Sequence, residues 1–175
     1  MRRVLVLLSV ITPLVAILVA AVSSGWFNIV ENALSDLGHA TRSRVAPVFN
    51  TGLVTGGILA YTVAITSRDV KRRYNAVLVF SAIMLIFVGV FDEVYGRLHF
   101  YVSVLFFLGL LVFTALYALD KEFSPVLRSI AVVVILVMVI SWTLHFVLEI
   151  PEGAAIPELI SVFTWIPFYL KVYCK

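Results

Sequence analysis

Six long apolar runs, separated by short polar stretches, set the pattern of this chain, near residues 4–24, 47–67, 75–91, 98–119, 128–148 and 155–173. Each approaches the roughly 20 residues a helix needs to cross about 30 Å of hydrocarbon. The runs are continuous and do not alternate apolar with polar, so they predict helices and not barrel strands. The expected fold is an all-α membrane protein, a bundle of six transmembrane helices, forming one integral membrane domain over residues 1–175 with no linker or internal repeat. A different pattern fills the stretch between the first two runs. Over 25–39, Trp26, Phe27, Val30, Ala33, Leu34 and Leu37 fall on one side of a helix and Asn28, Glu31, Asn32, Ser35, Asp36 and His39 on the other. That periodicity predicts a short amphipathic interfacial helix between the first and second spans.

Composition agrees with the pattern: 62% of residues are hydrophobic and 13% charged, with a mean hydropathy of +1.10. A soluble domain of this size is excluded. Arg2 and Arg3 before an apolar stretch ending in Ala20, Ala21, Ser23 and Ser24 also resemble a secretory signal. The stretch is longer than the usual signal core of about 7 to 15 residues, so a retained helix is expected.

Charge orients the bundle. With the N-terminus inside, Arg2, Arg3, Arg68, Lys71, Arg72, Arg73, Lys121, Arg128, Lys171 and Lys175 are inside, against Arg42, Arg44 and Arg97 outside. This bias predicts a multi-pass protein of the cell membrane with both termini cytoplasmic. Membrane lipids are the expected partners. The basic residues are divided among short loops and form no stripe suited to nucleic acid, which is not expected as a partner. Cys174 is the only cysteine, so no internal disulfide forms.

The acids and histidines sort the other way. Glu31, Asp36, Asp92, Glu93, Glu149, Glu152 and Glu158 lie outside, with His39, His99 and His145. Counted from Arg128, His145 is about 25 Å along its helix, near the outer surface, with Glu149 one turn further on the same face. Glu149 and Glu152 are accounted for by loop solvation. The candidate lining of one outer polar site is therefore Asn32, Ser35, Asp36, His39, Asn50, Asp92, Glu93, His99, His145 and Glu158.

Several of these residues stand in a familiar arrangement. The run NALSDLG from Asn32 to Gly38, Phe49-Asn50 before the glycines of the second span, GVFDE from Gly89 to Glu93, then His99, Phe106-Phe107, Glu158 and Trp165 resemble the domain-of-unknown-function 998 family of small prokaryotic membrane proteins. The resemblance implies a six-span fold with a polar outer site and assigns no reaction. Here Phe91-Asp92-Glu93 stands where a Phe-Pro-Glu type of turn is expected.

Three functions fit these residues. The first is binding of a lipid headgroup or small ligand in an outward-facing polar cavity. The second is zinc-dependent intramembrane hydrolysis of a lipid or amide, with Asp36, His99 and His145 as ligands. This set is similar to that of the alkaline ceramidase and adiponectin-receptor superfamily, but the chain has six spans and not seven, and its histidines stand on three segments. The third is a purely structural polar network locking the outer loops. A Ser-His-Asp site at Ser35, Asp36 and His39 lacks the Gly-x-Ser-x-Gly turn. Haem would have only His99 and His145 as axial ligands, and coupled transport wants acids at mid-membrane where these spans have few. Gly52 and Gly56, in GxxxG spacing, predict close helix packing, within the chain or in a homodimer. The reading carried forward is the binding site.

Overall fold

A computed structural model describes residues 2–174; Lys175, counted above on the inner side, lies outside the described residues. Six helices run α1 (Arg2–Ser24), α2 (Ala46–Thr66), α3 (Arg72–Val90), α4 (Arg97–Leu119), α5 (Pro125–Leu148) and α6 (Ala155–Tyr173). All six are long and apolar enough to cross a membrane. No strand occurs among the described residues. The apolar runs become helices because in hydrocarbon each backbone N–H and C=O must find its partner within the segment.

Local chemistry sets the helix limits. Pro47 stands in the first turn of α2 and Pro125 in that of α5, where the missing N–H costs nothing. The Ser124 hydroxyl accepts from Leu127 N at the start of α5. Glu149, at φ 54°, closes α5 in a left-handed conformation, a common way to end a helix.

The helices α1, α2 and α3 pack side by side, α3 on α4, and α4, α5 and α6 on one another, with α6 returning to α1. Gly52 and Gly56 serve the α1–α2 contact within the chain: a Cβ on Gly52 would collide with that of Ala16, and one on Gly56 would lie 2.7 Å from Pro13 Cγ. This is the close backbone approach that small residues permit.

Both described ends of the chain lie at one end of the bundle, here called the terminal end. Arg2 pairs there with Asp69, and the Tyr173 hydroxyl donates to Asn75 Oδ1 at 2.8 Å. The terminal half is packed with aromatics: Tyr117 stacks on Phe123 at 3.9 Å and Trp165 on Tyr169 at 4.7 Å between ring centroids. Asp120, 3% exposed, closes this end, taking Lys71 Nζ at 2.7 and 2.9 Å, Arg73 at 2.6 Å and the Tyr74 hydroxyl at 3.1 Å.

At the distal end, the continuous amphipathic helix expected over 25–39 does not form. Gly25, at φ 73°, turns the chain out of α1. The Asn28 and Asn32 side chains then take backbone amides, Val30 N at 3.0 Å and Asn28 N at 2.8 Å. Such bonds give the backbone an alternative to helix. Only Leu34–Gly38 makes a 3-10 turn, and it packs onto the bundle, with Leu34, Ser35, Leu37 and Gly38 buried. The turn is held against the α5–α6 loop, where Gly153 N donates to Val30 O at 2.7 Å and Ala155 N to Asn32 O at 3.0 Å.

Candidate ligand-binding site

A cavity of about 640 Å³ opens at the distal end between α4 and α5, roofed by the 34–38 turn, a second 3-10 turn at Glu93–Tyr95, and the start of α6. Of α5 only Ala131 and Met138 are buried, and Trp142, His145 and Phe146 of that helix line the cavity. Phe107 and Leu111 from α4 and Met138, Trp142 and Phe146 from α5 make an apolar shaft. The rings interlock, Phe107 with Trp142 at 5.0 Å and Trp142 with Phe146 at 5.3 Å. At the distal mouth stand Ser35, Glu93, His99, Ser103, His145 and Glu158. Apolar shaft and polar mouth together make an amphipathic recess within a membrane protein.

The polar residues are wired to one another. The Ser35 hydroxyl donates to Glu93 Oε1 at 2.6 Å. Glu158, 8% exposed in the first turn of α6, accepts from Leu34 N at 2.7 Å. His99 Nδ1 lies 2.7 Å from the Phe91 carbonyl. A carbonyl oxygen only accepts, so Nδ1 carries the proton and the neutral ring presents Nε2 as an acceptor. That nitrogen lies 3.3 Å from the Ser103 hydroxyl and 3.6 Å from Glu93 Oε1. His145 is fixed in the same tautomer, with Nδ1 donating to Pro151 O at 3.0 Å.

Of the ten residues expected to line one site, Ser35, Glu93, His99, His145 and Glu158 do so. Four others bind backbone instead. Asp36 accepts from Ala33 N at 2.9 Å and Asp92 from Val94 N at 2.8 Å, each capping its own turn. Asn32 accepts from Asn28 N, and the Asn50 amide donates to Gly38 O at 2.9 Å. His39 stands apart, against Thr41 at 3.3 Å. Glu149, expected beside His145, caps α5 in the exposed loop while His145 turns to Pro151.

This geometry bears on chemistry. Asp36, His99 and His145 do not come together, and no group of three or more His, Cys, Asp or Glu suited to a metal occurs among the described residues. The Ser35 hydroxyl is bonded to a carboxylate and not to an imidazole, so Ser35 is not paired with a histidine for nucleophilic attack; the hydroxyl that faces an imidazole is that of Ser103, at His99 Nε2. Sequence reasoning missed Ser103 and the ring wall of Trp142 and Phe146. Ser103 was within reach, since it lies one turn after His99 on the same helix face.

Fold and site together define a polytopic membrane protein, a bundle of six helices with an amphipathic recess between α4 and α5. The chain belongs to the DUF998 family, described as a protein of unknown function, whose model matches residues 6–170. No curated protein and no solved structure matches it.

Proposed function

We propose that this protein binds a membrane amphiphile, with the polar headgroup at the distal mouth and the alkyl chain in the shaft between α4 and α5. The observation that carries this reading is the division of one cavity into an aromatic and aliphatic shaft and a mouth of Ser35, Glu93, His99, His145 and Glu158. A lipid has the same division of chemistry, and concave apolar sites with a few placed polar groups are the usual form of ligand pockets. The orientation belongs to the proposal. Among the described residues nine Lys and Arg lie toward the terminal end and three toward the distal end, and this positive-inside bias supports cytoplasmic termini and a mouth at the outer leaflet of the cell membrane.

A second reading holds for part of the distal end. Asn32, Asp36, Asn50 and Asp92 each bond to a backbone group of a turn or loop, which supports a structural network roofing the cavity.

Native mass spectrometry of the full chain released from nanodiscs tests the binding reading. Ser103→Trp blocks the cavity where mouth and shaft meet, and Ile58→Trp, on the exposed face of α2, serves as control. A lipid retained by the wild type and by Ile58→Trp but lost from Ser103→Trp is the expected result. Equal retention in all three overturns the reading.

A further inference from the structure

The mouth of the cavity has a sign. Its titratable residues are Glu93, Glu158, His99 and His145, and no Lys or Arg lines it among the described residues. Arg42, Arg44 and Arg97 are exposed and stand outside the lining. The three carboxylates of the terminal end have protein cations: Arg2 for Asp69, Lys71 with Arg73 for Asp120, and Lys71 for Glu122 at 2.9 Å. Glu158 is nearly as buried as Asp120, yet its hydrogen-bond partner is a backbone amide. Glu93 has the Ser35 hydroxyl and a histidine at 3.6 Å. A buried carboxylate is costly unless an opposite charge is brought to it.

The histidines add to this bias. Both spend their Nδ1 proton on a backbone carbonyl, so in the neutral form each offers only an acceptor nitrogen. With both rings in that form the mouth is rich in acceptors and poor in donors. Just inside it stand the rings of Phe100, Trp142 and Phe146, whose faces attract cations.

We infer that the amphiphile carries an ammonium headgroup, with the Glu93 carboxylate as its counter-charge, Glu158 as a further oxygen acceptor, and its alkyl chain lying between α4 and α5. This rests on the cavity being an amphiphile site. An ammonium group brings three donors and one positive charge, which are what the mouth lacks. An anionic headgroup meets the Glu93 carboxylate there and is rejected.

Calorimetry on the full chain in phosphatidylcholine nanodiscs, with empty discs subtracted, tests the inference with octylamine, octanol and octanoate. Octylamine is expected to bind about tenfold or more tighter than octanol, with octanoate weakest. In Glu93→Gln/Glu158→Gln the preference for octylamine falls to about twofold or less. Glu93→Gln alone, at the half-buried position, gives a partial fall if the double variant does not fold. Replacing phosphatidylcholine with phosphatidylethanolamine weakens octylamine binding if the amine belongs to a bilayer phospholipid, and leaves it unchanged if it belongs to another amphiphile. Octanol or octanoate binding as tightly as octylamine overturns the ammonium headgroup and leaves the cavity reading standing. No saturable binding of any of the three overturns both.

Discussion

Glu158 on α6 accepts the backbone N–H of Leu34 at 2.7 Å, joining residues 124 positions apart. A helix side chain thereby satisfies a buried amide in the loop between α1 and α2. Glu158→Leu leaves that amide unpaired and is expected to cost about 1–3 kcal/mol. Glu158→Gln keeps an acceptor and costs less. Denaturation of both variants in mixed micelles checks the order, and equal losses would contradict it.

The two distal loops meet at Gly153, where a Cβ would collide with the backbone of Glu31 and Asn32. Gly153→Val is expected to break the bonds from Gly153 N to Val30 O and from Ala155 N to Asn32 O. Faster proteolysis within 25–33 than in wild type is the expected readout. Gly25→Ala serves as comparison, because a Cβ there meets nothing within 4 Å and any cost comes from its φ of 73°, of order 1 kcal/mol.

The terminal end carries a pH dependence through Asp120. Burial pushes its carboxyl up, but hydrogen bonds from Lys71 and Arg73 outweigh this and hold it below the ordinary value of 3.8. A carboxyl lowered in the folded state contributes stability that is present above the unfolded value and lost as pH falls through the folded one. Stability should therefore decline as pH drops below about 4. Asp120→Asn should flatten that decline and cost roughly 1–3 kcal/mol at neutral pH. The lower part of the range is expected, because Lys71 and Arg73 are more than a third exposed and regain water. Melting curves between pH 3 and 7 check both the slope and its loss.

Small residues hold α1 against α2. Gly52→Leu should force these helices apart and cost several kcal/mol by overpacking. Ile58→Leu, on the exposed face of the same helix, should change stability by less than about 0.5 kcal/mol. Chemical denaturation of the two variants checks the contrast.

The membrane helices were legible because hydrocarbon leaves so few alternatives and continuous apolar runs become helices; their limits were less so, since α5 starts at Pro125 and not near Arg128, and Gly25 turns the chain out of α1. The family was legible from the NALSDLG run and its spaced partners, and the match over residues 6–170 agrees. The 25–39 segment misled, since its helical spacing competes with Asn28 and Asn32, whose side chains take the local amides. The candidate site was half legible. Asp36 and Asp92 have the same residue type as a ligand group, but each is within two or three residues of the amide it caps, and sequence spacing did not reveal which carboxylates turn inward. The shaft was not legible, because it depends on how loosely α5 leans on α4, a matter of packing between helices and not of periodicity along either.

The central claim is that an amphiphile fills the recess between α4 and α5. A density map of the full chain in lipid nanodiscs, fine enough to separate side chains, tests it most directly. The account predicts elongated density along Phe107, Leu111 and Trp142, with a polar end within hydrogen-bond reach of Glu93 or Glu158. A recess closed by α5 packing onto α4, or one holding only isolated waters at the mouth, would contradict it.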